Sequence, residues 1–583
     1  MNRRTLPYQL LMHAILLGVV SLSLRAQSPF DPAHSSEAEK IEERVQVFTD
    51  RDLYAVNESI HFVAEHRVNG VMQGSFWSSV VYVELVAPNG HPVAQGKFML
   101  LGGRAQGTLQ IPESALTGDY YLKCYSRWMR NHGPASFSFI PMKIINPFRS
   151  EVAAQAGDSN PSGMLPRVPY REGGLDCSTA STVYEAGEEV NVIMAGSLPD
   201  YLDQLRCCLT VVPDGAIDLS GGQYILSEGE VEQEAFQVSY LPDLGSGVSV
   251  SGTVVDAEQE PVIFATLHFS LLGESPDYFA TISDEHGRFI FTTPAGKGQQ
   301  ELFVTPQRVN GIAPEVRIDQ EYDARMLPLP WEKFQLSESA KDLARRTALN
   351  MQLSKAFVSN IPVDTLMGQE ASRDKNIPFY GTRVKRLLID DYVRLPNLEE
   401  VFINLVPDVQ FYKNKGENRI RIMSDNASIA IYDPLIMIDH ISVFDHEAVL
   451  GLLPERIERI DLINEVYLKG NVAFGGVLAI YSKNGDMAGI DLPEGSYFFD
   501  YQSFYPQESS MAGTGQEALQ QSSGRIPDTR NTIYWTGNLQ VQKGESLEIP
   551  FKAPDTPGEY VILVRGVDPN GQVLSATARF RVE

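Results

Sequence analysis

The sequence predicts a mainly β, multidomain chain: several small β-sandwiches, one α+β domain and a short connector helix. Three observations lead there. The 583 residues exceed what one core serves, so several domains of about 100–150 residues are expected. The 46 Gly and 35 Pro fall mostly between short runs rich in Val, Ile, Tyr and Phe, the pattern of strands joined by turns. Residues 337–357 depart from that pattern and take a helical period. With 43% hydrophobic and 21% charged residues, the chain has the composition of a folded protein. A formal charge of −26 without a block of Lys or Arg excludes nucleic acid as a natural partner.

In chain order, residues 1–26 run from Arg3 and Arg4 through the apolar stretch Leu10 to Leu24 to Ala26, the order of a signal peptide. A membrane anchor is the competing reading, but the apolar run falls short of the ~20 residues a span needs, and His13 interrupts it. No later stretch approaches a span, so no membrane span is expected after signal removal. Residues 44–147 alternate in the β manner, as in Val80 to Val86, and predict one sandwich. The Gly/Ser/Pro stretch from Ala156 to Gly163 reads as a linker. Tyr54 to Phe62 is then echoed by Tyr184 to Val192, with Asn57 and Gly187 suited to the turn, which suggests an internal repeat.

The run Phe48-Thr-Asp50-Arg51-Asp-Leu-Tyr54-Ala-Val-Asn-Glu58 resembles the opening of macroglobulin-type domains of the alpha-2-macroglobulin family. Pro557-Gly558-Glu559-Tyr560 to Val564, repeated by Gly118-Asp119-Tyr120, resembles their closing hairpin. The resemblance implies three such sandwiches, at 44–147, 173–242 and 520–583. Val250 to Asp256, Pro261 to Ala265 and Thr281 to Phe289 resemble the carboxypeptidase regulatory-like domain, implying a sandwich at 246–318 without peptidase chemistry. There Gly252 allows close packing, and Asp284 with Gly287 makes an Asx-type turn. In 337–357, Leu336, Leu343, Ala344, Leu349 and Leu353 are spaced for one helical side, with Ser337 as cap.

Residues 379–485 carry Leu398 to Phe402, Pro434 to Asp439, Leu453 to Ile460, and Phe474-Gly475-Gly476 to Tyr481. In order and spacing these closely resemble the plug domain of TonB-dependent outer-membrane receptors. Locally, Leu435 to Ile438 reads as a buried strand, Pro454 as the start of a short helix presenting Ile457 and Ile460, and Gly475-Gly476 as a turn. A receptor barrel is not expected here, because the residues after 485 are fewer than the ~220 that 22 strands would need. Residues 507–524 are Ser/Gly/Gln-rich and read as a flexible linker. The module order resembles multidomain cell-envelope proteins of Bacteroidetes-type bacteria.

Motifs of catalysis are absent: no G-x-S-x-G elbow, no Walker loop, and no Gly-Cys-Gly-Glu-Gln thioester around any Cys. No catalytic, cofactor or metal residue is therefore assigned. His61, Glu65 and His66 miss the zinc-motif spacings, and on a strand His61 and His66 point oppositely. Asp439-His440 and Asp445-His446-Glu447 hold ligand-type residues, though a solvated loop accounts for them as well. Tyr497, Phe499 and Tyr501 alternate with Phe498, for packing or for a ligand. A disulfide from Cys177 to Cys207 or Cys208 competes with isolated thiols there and at Cys124.

The expectation is a non-catalytic exported envelope protein, in the periplasm or on the outer membrane. Its sandwiches would be spacers and its plug-like module would dock on an outer-membrane or periplasmic partner. Noncovalent protease capture, with 507–524 as the bait loop, is the alternative reading. An unrecognised enzyme is the third.

Overall fold

The computed structural model describes residues 35–69, 77–153, 168–224, 236–245, 247–273, 276–293, 299–325, 329, 334–358, 378–381, 383–414, 416–505 and 528–583. The predicted signal peptide at 1–26, the linker at 156–163 and the segment 507–524 lie outside these residues. The described chain is mostly strand, arranged in many small sheets.

The first sandwich has eight strands: β1 (Glu43–Thr49), β2 (Leu53–Ala55), β3 (Ser59–Val68), β4 (Val80–Val86), β5 (Pro92–Met99), β6 (Arg104–Gln110), β7 (Gly118–Tyr125) and β8 (Ser138–Ile145). They form two sheets, ordered β1-β3-β6 and β2-β8-β7-β4-β5. Alternating residues such as Ile60, Phe62, Val81, Val83 and Leu122 meet between them.

The second sandwich corrects the domain expectation. Residues 173–242 and 520–583 do not build two sandwiches; they share one. Its three-stranded sheet is Asp176–Thr179, Glu189–Ala195 and Ser546–Lys552, with Val192 opposite Ile549. Its larger sheet runs Val183–Tyr184, Val573–Val582, Gly558–Val567, Gln204–Pro213 and Tyr534–Gln542, and Tyr170–Glu172 also pairs with Val573–Val582. The core draws Val190, Val192, Met194, Leu209 and Val211 from one half and Ile549, Phe551, Ile562, Val564 and Phe580 from the other. Each such side chain contributes about 1.5–3 kcal/mol on burial, and neither half covers its apolar face alone.

Strand for strand, this split sandwich repeats the topology of the first. Tyr54 lies parallel-paired with Ile144, itself opposite Gly118; Tyr184 is likewise paired with Val582, itself opposite Gly558. The turns match too, with Asn57 at φ 66° and Gly187 at φ 75°. Tyr120 Oη donates to Leu116 O at 2.9 Å and Tyr560 Oη to Thr556 O at 2.7 Å. Residues 214–533 are thus inserted where the first sandwich has only its β4–β5 hairpin.

The insertion begins with a third sandwich. Ser249–Val255 lies between Arg288–Thr292 and Glu315–Ile318; the facing sheet runs Asp277–Ile282, Thr266–Leu272, Gln299–Pro306 and then Tyr497–Gln502, which returns from far along the chain. A Cβ on Gly252 would stand 2.0 Å from Arg317 O, so only glycine fits. Asp284 Oδ1 accepts from the N–H groups of His286 and Arg288, both at 2.8 Å, and Gly287 takes φ 71°.

The helix Glu338–Val358 starts where expected, with Ser337 Oγ accepting from Ala340 N at 3.2 Å. Its Leu343 and Ala344 wedge among Leu53 of the first sandwich and Val212 and Leu563 of the split one, so it straps two domains. Leu349 is exposed, contrary to expectation, while Ala348 and Met351 are buried.

The α+β module has a five-stranded sheet ordered Lys385–Leu388, Ile457–Ile463, Val477–Ser482, Leu435–Ile438 and Ile441–Ser442. Ile457 and Ile460 lie on a strand, not a helix; only Pro454–Arg456 form a 3₁₀ turn. A bulge between Ile457 and Arg459 turns both isoleucines into one core, which gives a strand the spacing of a helix. Gly475 sits where a Cβ would meet Tyr432 O at 2.2 Å, and Gly476 turns at φ 93°.

Candidate interaction surface

The sheet of the α+β module is covered on one side by its own helices. Asn397 caps the helix Leu398–Leu405 by accepting from Glu400 N at 3.0 Å, and Leu398, Val401 and Phe402 pack with Val449, Ile460 and Ile480. The other side, through Leu435, Met437, Ala479 and Tyr481, lies against Tyr278 and Ala280 of the third sandwich. Polar groups knit this seam: Ser270 Oγ donates to His440 O at 2.7 Å, and Lys469 Nζ reaches Asp277 at 2.7 Å. Inside it, the His268 ring is hydrogen-bonded to Tyr278 Oη, and burial pushes its pKa down to about 3.

Asp439, Asp445, His446 and Glu447 of this module hold the backbone, and the His440 ring packs edge-on against Tyr481. Asp439 accepts from Ser482 N at 2.8 Å, Ser482 Oγ at 2.6 Å and Met487 N at 2.9 Å. Asp445 caps the helix His446–Leu450 through Ala448 N at 2.9 Å. His446 Nδ1 accepts from Ile420 N at 2.8 Å, and burial together with nearby Arg419 lowers its pKa to about 4. Glu447 accepts from Asn418 N at 3.1 Å. Among the described residues no three His, Cys, Asp or Glu side chains gather as a metal site requires.

Elsewhere, His66 is buried 3.0 Å from Glu43, Glu65 is ion-paired with Arg104, and His61 is half-buried on the opposite face. Cys124, Cys177, Cys207 and Cys208 are free thiols, so the disulfide reading is overturned. Burial raises all four pKa values, that of Cys177 to about 12, which suppresses thiolate reactivity. The aromatic run is an interface: Tyr501 is buried, bonded to Thr293 at 2.7 Å, with Lys97 Nζ 4.8 Å from its ring centre. Lys97 also donates to Gln502 O at 2.7 Å and pairs with Glu321 at 2.7 Å, joining the first and third sandwiches. Phe498, on the opposite face, is exposed and rests on Phe303 at 4.7 Å between centroids.

Away from this seam, the α+β module exposes apolar groups. Leu388, Tyr392, Val393 and Leu453 are exposed around the touching turns 389–391 and 454–456, with Val393 at 86%. Met423, Ile431 and Tyr432 are exposed beside the hairpin Val409–Asn414/Glu417–Ile422, with Ile431 at 75%. Arg421 lies over the exposed Tyr412 ring at 5.1 Å, and Arg419 pairs with Glu417 at 3.0 Å. The residue spacing in the sequence did not distinguish these groups from those that pack inward.

The fold defines a β-sandwich chain carrying an inserted sandwich and an inserted α+β module. No protein-family model matches the sequence, and no curated protein does. Among solved structures, the chain is similar to Salmonella alpha-2-macroglobulin reacted with methylamine, at 10% identity and TM-score 0.23, covering 93% of this chain and 39% of that one. It is also similar to Escherichia coli alpha-2-macroglobulin activated by porcine elastase, at 9% identity and TM-score 0.23, covering 93% and 44%. A tetra-tandem repeat from a large adhesion protein matches at 7% identity and TM-score 0.11, covering 93% and 99%. The chain spans about two fifths of the length of the macroglobulins. Likeness of this size does not set its family.

Proposed function

We propose that this chain is a non-catalytic, exported scaffold of the cell envelope whose α+β module docks on an outer-membrane or periplasmic protein. The observation that carries the reading is a contrast. Asp439, Asp445, His446 and Glu447 are taken up in structural bonds, while Val393 and Ile431 of the same module are bare. Such groups mark a contact surface when they form one contiguous patch, which this reading requires of them. Export rests on the order of charged, apolar and small residues in 1–26. The plug resemblance supports an outer-membrane partner, such as part of a transport system.

The test is crosslinking in envelopes of cells producing the full chain, comparing wild type with Val393→Asp and Ile431→Asp. Loss of one defined crosslinked species in the variants, with the fold retained, is the expected result. Recovery of the same species from both variants removes the docking role. Deleting 379–485 is the poorer test, because it would bare Tyr278 and Ala280.

A further inference from the structure

The turn that opens the first sandwich is repeated in the split one with different flanking residues. In both, the tyrosine hydroxyl accepts the N–H three residues earlier, Arg51 N at 3.3 Å and Ser181 N at 2.9 Å. In both, a glutamate accepts the N–H three residues before it, Ala55 N at 2.6 Å and Glu185 N at 2.8 Å. The second turn does this with Ala180 and Ser181 where the first has Asp50 and Arg51. The turn itself therefore has no need of that charged pair.

The pair bonds within its own turn and also reaches outward. Asp50 is fully buried and accepts from Tyr54 Oη at 2.6 Å, from His61 N at 3.0 Å and from Thr532 Oγ1. Arg51 donates to Thr532 Oγ1 at 2.9 Å, to Leu53 O at 3.1 Å and to both oxygens of Glu58 at 2.8 and 3.3 Å. Glu58 also accepts from Asn531 Nδ2 at 2.8 Å, and that amide donates to Thr347 O of the strapping helix at 3.0 Å. Beside them, Thr210 Oγ1 donates to Asp50 O at 2.8 Å and Arg565 to Thr49 O at 2.6 Å. Three stretches remote in sequence thus meet on one buried ion cluster.

Burying such charges is costly, and apolar residues would pack the site at least as stably. A cluster that the turn does not need, and that bonds to residues of another domain, is explained by what it orients. We infer that Asp50, Arg51 and Glu58 form a latch that fixes the first sandwich against the split sandwich and the strapping helix. When the latch is broken, the joint loosens about its remaining apolar contacts, Phe48 and Val63 with Trp535 and Val573, while both sandwiches stay folded. The latch closes only after residues 528–583 have joined the split sandwich, since Asn531 and Thr532 belong to that half. Burial opposes the charge on Arg51, but the carboxylates of Glu58 and Asp50 outweigh it and keep the guanidinium ionised.

The test uses the full chain with spin labels at Asn89→Cys and Glu545→Cys, exposed sites on the two sandwiches, in a Cys177→Ser background. The unmodified latch should give one narrow distance distribution. Arg51→Ala should broaden it or add a second population, with the far-UV spectrum unchanged. Glu188→Ala, which alters the equivalent turn without a latch, should leave the distribution as it was. If Arg51→Ala does not fold, Asn531→Ala and Thr532→Val at half-buried positions carry the same expectation. A folded latch variant with an unchanged distribution, or an equal change in Glu188→Ala, overturns the inference.

Discussion

Glu58 and Glu188 make the same bond in equivalent turns of two sandwiches, but only Glu58 is also held by Arg51 and Asn531. Their removal should differ accordingly. Glu188→Ala loses one exposed hydrogen bond, a cost of about 0.5–1 kcal/mol. Glu58→Ala leaves a buried guanidinium without its main partner, a cost of about 3–5 kcal/mol. Urea denaturation midpoints of the two variants check the difference; equal losses would mean that the Arg51 pair is worth no more than a surface contact.

Because the split sandwich is built from two halves, it should assemble from separate chains. Residues 1–505 and a tagged 528–583, produced together, should co-purify. Ile562→Asp in the tagged piece, which puts a charge in the shared core, should abolish recovery. Free 528–583 in the wild-type pair would show that the interleaved pairing does not hold the halves together.

The seam between the third sandwich and the α+β module should weaken in acid. His268 is 3% exposed and stays neutral in the folded chain down to about pH 3, while the unfolded chain takes up the proton near pH 6.5. Its contribution to stability is therefore complete above about pH 6.5 and is lost as pH falls toward 3. The full loss is on the order of 5 kcal/mol. His446, lowered to about 4, acts in the same direction. Stability of wild type and His268→Phe measured at pH 7, 5.5 and 4.5 should converge as pH falls; parallel curves would exclude His268 as the titrating group.

Gly252→Ala should destabilise the third sandwich by about 3 kcal/mol or more, because the methyl group would collide with the Arg317 carbonyl. Thermal unfolding gives the readout, and a shift under 1 °C would mean that the two strands separate freely.

Thiol titration distinguishes free cysteines from a disulfide. Native protein should react slowly, and denaturant without reductant should release four thiols. Two thiols would restore the Cys177 disulfide.

Local features were readable from the residues alone. Alternation marked the strands of the first sandwich; Ser337 and the helical spacing marked the connector; Gly252, Asp284 and Gly287 marked a strand contact and a turn that the third sandwich realises. Even the repeat was visible, in Tyr54 to Glu58 against Tyr184 to Glu188 and in Tyr120 against Tyr560. These signals lie within a few residues of the backbone they shape. The sequence could not show that Gly558 to Val582 completes the sandwich begun at Asp176, because strand pairing across residues 214–533 leaves no local trace. The same holds for the bulge that puts Ile457 and Ile460 in one core, and for Arg51 meeting Thr532. Those contacts are set by which faces are left to be buried once each sheet has formed, and that is decided only when the whole chain packs.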